Sequence, residues 1–394
     1  MMTERTSMDR TSHLYPQTTR RVLILMAHTG GGHLRAAQAI AEALHRRHGD
    51  TVSTQVVDVL GQYAPFPFNH LDHIYPWWIK HAVAAWRWGY RLTDSPTRAM
   101  ALLRLFWPLV WPRARSLVHR YPADVIVSAH PLSNHYLVWT LNRLGRTVPF
   151  ATLVTDPVSV HPFWLTPGVT RCLVGSAQAR RKALACGLVS DQIQVTGLPI
   201  DPLFVDGLTD RISARVALGW PLDMPTVLLL GGGEGMGQLY QIARAIDAAC
   251  QEIQLAVVAG RNRPLRARLK ATPWQRPTHV YGFVSQMSRL MSAADLIVTK
   301  AGPGTIHEAF IAGRPLILTG AIPGQEYGNV HLVVKGGAGA WAPTPLEAAT
   351  LVARWTGPER KTLSHMATRA RALAHPHAAA DAADEIWRLA NPTI

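Results

Sequence analysis

The sequence predicts an α/β protein made of two doubly wound domains that face a central cleft. Three observations carry this expectation. Short runs rich in Val, Ile and Leu alternate with helical stretches along the chain, as parallel strands buried on both faces do. Glycine-rich segments directly follow such a run twice, at His28–His33 and Gly231–Gly237, and each would open a new doubly wound, Rossmann-like sheet. The length, 394 residues, is long for one core and comfortable for two.

In chain order, residues 1–19 are polar and lack the apolar stretch of a signal peptide, so they read as a disordered leader. The first domain, residues 20–200, offers strands at Val22–Ala27, Gln55–Val59, Asp124–Ala129, Phe150–Thr155 and Cys172–Val174. Glycine, proline and aspartate gather near Gly197–Thr209, which reads as the linker. The second domain, residues 201–394, offers Thr226–Leu230, Leu255–Ala259, His279–Gly282, Leu296–Thr299 and Pro315–Leu318. The final stretch, Ala367–Leu389, reads as helix interrupted at Pro376, able to pack back on the first domain.

Charge narrows the partners. Forty Lys and Arg against 25 Asp and Glu leave a net +15, which attracts nucleic acid, anionic lipid or phosphorylated small molecules. Thirteen tryptophans favour the membrane interface among these. Three cysteines without CxxC spacing argue against a disulfide framework and a structural zinc site. No apolar run reaches the roughly 20 residues that span a bilayer; the best, Ala99–Trp111, is cut by Arg104 and Pro108. A lipid substrate must therefore be met from the surface, and the expected location is cytoplasmic, peripheral on the inner face of the cell membrane.

Three segments after strands carry site-like chemistry. In Gly231–Gly237, glycines let the backbone approach a phosphate and aim N–H groups at it, although a tight turn alone needs the same residues. In Thr299–Ala309, Thr305 can cap a helix and bind an anion, while Glu308 either accepts from two ribose hydroxyls or only favours the helix N-terminus. In Ile322–Asn329, Gln325 beside Glu326 offers donors and acceptors to sugar hydroxyls, or forms a polar turn.

Together these segments resemble the monogalactosyldiacylglycerol synthases, relatives of the peptidoglycan lipid I N-acetylglucosaminyltransferase. The matching residues are Gly231–Gly237, Ala259–Asn262, Tyr281–Val284, Lys300–Thr305 and Gly324–Asn329, in that order, joined by Thr29–His33, Val154–Asp156 and His161–Pro162 in the first half. The resemblance implies a GT-B fold and an inverting transfer of galactose or glucose from a UDP-hexose. Main-chain groups near Phe283 and Val284 would read uracil, and Glu308 the ribose. Gly302, Pro303, Gly304 and Thr305 would cradle phosphate with Gly232, Gly233, Glu234 and Gly235, and Gly32 would approach from the other half. Gln325 and Glu326 would hold the hexose. His33 is the first choice for the base that takes the acceptor proton, with donor phosphate contact as its other reading; Asp156 is the reserve base. No Asp-x-Asp pair occurs, so neither metal nor other cofactor is expected. The family's Gly-Leu-Pro-hydrophobic-Arg-Pro run is here Gly197–Pro202 with Asp201 in the arginine's place; Arg261 could supply the missing positive charge.

The acceptor side is expected between Tyr63 and Arg120. Ile79, Ala82, Val83, Trp86 and Tyr90 share a helical face, with Lys80, Arg87 and Arg91 on an adjacent stripe and Trp77 and Trp78 just before. That pattern suits an in-plane interfacial helix drawn to anionic lipid, or a core helix with a basic edge. The expected acceptor is 1,2-diacylglycerol. Two alternatives stand beside it: another amphiphilic acceptor, such as a polyprenyl-linked one, and a basic nucleic-acid-binding protein, for which no recognisable motif is present.

Overall fold

The computed structural model describes residues 19–392 apart from 30, 73, 75–77, 79–80 and 236. Two six-stranded sheets form, all of their pairings parallel. The first runs β2-β1-β3-β4-β5-β6, from Arg20–Met26 (β1), Val52–Asp58 (β2), Val125–Ser128 (β3), Phe150–Leu153 (β4), Arg171–Val174 (β5) and Ile193–Val195 (β6). The second runs β12-β11-β10-β7-β8-β9, from Thr226–Leu230 (β7), Gln254–Val258 (β8), Thr278–Tyr281 (β9), Leu296–Lys300 (β10), Leu316–Gly320 (β11) and Gly339–Trp341 (β12). Strand order reverses between β1 and β3 in one sheet and between β7 and β10 in the other. Loops diverge at such points and leave a crevice at the strands' carboxyl ends.

Alternation explains the layering. Leu23 and Leu25 of β1 point into one apolar layer, while Val22, Ile24 and Met26 point into the layer on the opposite face, because successive strand side chains alternate. The second sheet is likewise covered on both faces, with Leu228 and Leu230 on one side and Val227 and Leu229 on the other. The ten expected strands all form. β6 and β12 were not expected: each is a three-residue edge strand without the apolar run that marks the central ones.

The C-terminal region divides into helices Lys361–Ala372 and Ala378–Ala390 around Pro376. The last helix lies in the apolar layer of the first sheet, through Ala379, Ala382, Ala383 and Ile386. The Trp387 ring stacks on His48 at 3.9 Å between centroids, and Arg47 Nη2 donates to Asp384 at 2.7 Å. The chain therefore crosses between the halves twice, near Gly197 and near His375, and these two crossings touch. No helix among the described residues is long and apolar enough to cross a membrane.

Candidate active site

The second half builds its side of the cleft from five strand ends, those of β7 to β11. After β7, the glycine loop is laced to the loop after β8: Arg261 N donates to Gly233 O at 2.8 Å, and Asn262 Nδ2 to Gly235 O at 3.3 Å. This close approach is why glycine is needed. Gly235 and Gly260 both have φ of +60°, and a Cβ would stand 2.2 Å from Ala259 O at the first and 2.3 Å from Gly233 O at the second. After β10, Gly302 caps the helix Pro303–Ile311, whose first intrahelical acceptor bond comes from Ile306 N. The N–H groups of Gly304 and Thr305 thus lie at the positive helix end, where anions are favoured.

Glu308, one turn into that helix, is buried, and burial raises its carboxyl above the usual range. Arg35 reaches it from the helix Gly31–His48 of the first half, Nη1 to Oε1 at 3.4 Å. A small crevice joins Arg35, Gly232, Gly233, Phe283, Thr305 and Glu308. At its edge Arg261 lies over the Phe283 ring, 4.4 Å from the centroid, and pairs with exposed Glu234 at 3.0 Å. Lys300 Nζ donates to Glu326 Oε1 at 2.7 Å, while Glu326 Oε2 accepts from Ile322 N at 2.9 Å. Glu326 is buried, with one oxygen committed to Lys300 at the end of β10 and the other to its own loop; of the pair expected to meet the hexose, Gln325 is the one turned toward the first half.

In that half, loops after β1, β3 and β4 converge. His33 Nδ1 lies 3.0 Å from Thr155 Oγ1, and its ring packs edge-on to His130 at 4.8 Å between centroids. Burial lowers His33 to about 4, opposed by the backbone of Ala129. His130, also held neutral by burial, contacts Thr29 Oγ1 through Nε2 at 3.1 Å. Asp156 Oδ2 accepts from Trp164 Nε1 at 2.7 Å, and Oδ1 from Gln325 Nε2 at 3.3 Å. Burial pushes Asp156 up to about 6, against the pull of those two bonds. The halves meet again where Gly328 N donates to Ser159 Oγ at 3.1 Å.

Beside these groups opens a largely apolar cavity of about 550 Å³. His33, His130, Asp156, His161 and Gln325 are among the polar residues of its lining; Trp78, Trp86, Leu103, Phe106 and Leu117 are among its apolar walls. Trp77 and Lys80, expected on the acceptor side, lie outside the described residues. Ile79 likewise lies outside the described residues; the helix runs Val83–Thr93 with Ala82 as its N-cap, and the apolar face expected there packs inward, as in the reading of a core helix with a basic edge. Trp86 and Tyr90 face inward, Tyr90 Oη donating to Ser159 O at 3.2 Å, while Trp88 (70% exposed) and Leu92 face out beside exposed Arg87 and Arg91. Trp107 packs with Trp111, Tyr136 and Trp139, and Arg143 lies over the Trp111 ring.

Sequence reasoning missed Arg35, Lys300 and His130. Lys300 lies within the Lys300–Thr305 motif, where no role was expected of it; Arg35, two residues after His33 in the same helix, could have been found from its place in the first turns after the glycine-rich loop. His130 follows the strand end of β3 with no motif around it. Asp201 is spent on structure: it caps the short helix Pro202–Asp206, accepting from Leu203 N at 2.9 Å.

Family comparison agrees with this frame. A model described as monogalactosyldiacylglycerol (MGDG) synthase matches residues 33–200, and one for the glycosyltransferase family 28 C-terminal domain matches 226–379. The chain is 40% identical over 383 residues to a probable monogalactosyldiacylglycerol synthase 2, chloroplastic, of Oryza sativa subsp. japonica, covering 94% of this chain and 81% of that one. It is 38% identical over 368 residues to monogalactosyldiacylglycerol synthase 1, chloroplastic, of Arabidopsis thaliana, covering 91% and 69%. Among solved structures, Acinetobacter baumannii MurG superposes with a TM-score of 0.62 at 17% identity over 94% of this chain and 99% of that one. Anabaena Alr3699/HepE in complex with UDP-glucose does so with 0.54 at 15%, over 93% and 98%. With two family models side by side and such identity along nearly the whole described fold, the chain belongs to the monogalactosyldiacylglycerol synthase family of GT-B glycosyltransferases.

Proposed function

We propose that this glycosyltransferase moves galactose or glucose from its UDP-sugar to the free hydroxyl of 1,2-diacylglycerol at a membrane surface, with inversion at the anomeric carbon. The observation that carries the reading is the union of two chemistries in one cavity: apolar walls fit for hydrocarbon, and His33, Asp156 and Gln325 together in the lining. A lipid alcohol seated there would bring its hydroxyl to titratable groups and its chains to the walls.

The donor lies across the crevice between Arg35 and the glycine loop. Main-chain groups near Phe283 and Val284 take the uracil, Glu308 the ribose hydroxyls, and the N–H groups of Gly232–Gly235 and Gly304–Thr305 the phosphates. Gln325 reads the hexose, with Glu326 holding its loop and Gly32 near the diphosphate. Charge on the departing UDP is relieved by the helix end at Pro303 together with Lys300 and Arg35, so the reading needs no bound metal. His33 acts as base. Burial keeps it unprotonated at neutral pH, and a diphosphate arriving nearby would raise its proton affinity toward the range where a general base works best. Asp156 remains the reserve.

The protein would work from the surface, through the outward residues of the helix Val83–Thr93 and anionic lipid. The plant relatives are named chloroplastic; for this chain the reading keeps the inner face of the cell membrane, checked by fractionation. Incubation with labelled UDP-galactose and UDP-glucose in separate reactions, with diacylglycerol in anionic vesicles, tests the whole. The expected product is a β-hexosyl diacylglycerol from one donor. Absence of glycolipid with both donors overturns the acceptor, and transfer to a polyprenyl-linked alcohol instead would favour the second amphiphile.

A further inference from the structure

We propose that Ser159 is a positioning residue for hexose transfer: from the first half it caps the opening turn of the helix Tyr327–Lys335 in the second, and so holds Gln325, two residues before that helix, against Asp156. The inference rests on the reading of Gln325 as the residue that meets the hexose, and adds to it a group in the opposite half of the molecule.

The cap is the first argument. The opening N–H groups of a helix have no acceptor within it. Glu326 stands at the N-cap position here but makes no side-chain cap, because its oxygens accept from Lys300 Nζ and Ile322 N. Gly328 N, in the second residue of the helix, donates instead to Ser159 Oγ at 3.1 Å. Serine is among the residues that best fill this role, ordinarily from the position just before the helix. In this fold the hydroxyl is supplied from across the cleft.

Gly328 is the second argument. Its φ is not positive, so its own backbone does not call for glycine. The demand comes from the other half. A Cβ there would collide with Ser159 Oγ and stand 2.8 Å from Val158 Cγ1 and 2.9 Å from Val158 Cβ. The hydroxyl could swing aside, but Val158 is buried and its Cβ moves only with the chain. A glycine at this point therefore serves a helix end seated against the first half. Gly324 is different: its φ of +84° requires glycine in any case.

Ser159 is itself held in place, which is the third argument. Its carbonyl accepts from Tyr90 Oη at 3.2 Å, and the Tyr90 ring packs edge-on to His161 at 4.8 Å between centroids. The same ring meets Gly324. Gln325 thus lies between two contacts with the first half, Gly324 on Tyr90 and Gly328 on Ser159, and its own bond to Asp156 falls between them. Among the described residues Ser159 lines neither the cavity nor the crevice, so its effect passes through the loop.

Titration of the full-length protein with UDP, UDP-galactose and UDP-glucose tests the assignment without acceptor or turnover. Loss of one hydrogen bond changes an equilibrium by about fivefold. Ser159→Ala should weaken the sugar nucleotide that the parent binds better by about that factor, and UDP by less than about twofold. Ser159→Thr, which keeps the hydroxyl, should recover most of the loss. In a Gln325→Ala background, Ser159→Ala should add nothing, since residues acting through one network are not additive. Amide exchange over residues 327–330, followed without nucleotide, should quicken in Ser159→Ala by about fivefold.

Equal weakening of UDP and sugar nucleotide, the same loss in both backgrounds, or unaltered exchange would overturn the role of Ser159. Where Gln325→Ala still costs sugar-nucleotide affinity, such a result leaves the hexose reading standing. A Gln325→Ala protein that binds all three nucleotides as the parent does would sink the hexose reading, and the role of Ser159 with it.

Discussion

Gln325 Nε2 donates to Asp156 Oδ1 at 3.3 Å, one residue from each half of the molecule. The bond ties the loop that faces the hexose to a carboxylate in the lining of the apolar cavity. Gln325→Glu replaces the donor with a second carboxylate. Two carboxyl groups at this distance cannot both ionise freely, and like charges set against each other cost several kcal/mol. The expected result is a drop in transfer kcat/KM of about 10- to 100-fold at alkaline pH, easing as the pH falls and the pair takes up a proton. UDP affinity should be unchanged, because the nucleotide crevice lies at Glu308 and Phe283. Weakened UDP binding in this variant would show that Gln325 acts on the nucleotide.

Asp156 and His33 leave separate marks on pH dependence. The Asp156 carboxyl ionises near 4 in an unfolded chain and at about 6 in the fold. Between those values the native state holds an extra proton, so the group's contribution to stability is full below about pH 4 and lost as pH rises through about 6. Denaturant unfolding of the parent and of Asp156→Asn should therefore diverge across that window, the Asn variant gaining by up to roughly 3 kcal/mol relative to the parent. Catalysis gives the complement. With His33 as base, at about 4 in the free enzyme, kcat/KM stays level as the pH falls through 6 and declines only toward 4. A limb near 6 that disappears in Asp156→Asn would transfer the base role to Asp156.

Arg35 stands where the two halves face the donor crevice, and Asp201 occupies the position where the family's linker carries arginine. The Arg35–Glu308 contact at 3.4 Å is loose and half exposed on the arginine side, so the guanidinium can turn to a diphosphate at small cost. Arg35→Ala should raise the UDP-sugar KM by about 10-fold or more, as loss of a charge-assisted contact does. The double variant Arg35→Ala/Asp201→Arg should recover part of that loss, because it restores a guanidinium near the crevice. An Arg35→Ala enzyme with unaltered donor KM removes Arg35 from the donor site.

How much of this was legible beforehand depended on local signals. Central strands such as β7 and β10 announce themselves by unbroken apolar runs, and the glycine loops by composition, so the two-sheet frame and the donor loops could be read directly. The edge strands β6 and β12 could not, since three residues carry no periodicity. Helix faces were harder. Trp86 and Tyr90 share a face by spacing, but spacing does not say whether that face turns to lipid or inward; it turns inward because Tyr90 meets Ser159 and packs against Gly324, residues far away in sequence. Contacts such as Arg35–Glu308 and Lys300–Glu326 depend on how elements come together, and no window of sequence contains both partners.

The outward side of the same helix gives the last prediction. Trp88 and Leu92 are exposed there, and Leu105 (72% exposed) lies on the following helix, Pro96–Arg120. Arg87 and Arg91 are exposed beside them. Aromatic and aliphatic groups at this level would enter the headgroup region while the guanidinium groups meet anionic lipid. Each basic residue near such a surface contributes about 1 kcal/mol, so Arg87→Gln/Arg91→Gln should lower partition into anionic vesicles by roughly 10- to 30-fold, with little change on neutral ones. Trp88→Ala/Leu105→Ala should weaken partition on both kinds of vesicle, since hydrocarbon burial does not depend on lipid charge. UDP binding in solution should stay as in the parent for all four substitutions, which lie away from the crevice at Glu308. Vesicle sedimentation that is the same for parent and variants would move the docking surface to another face of the protein.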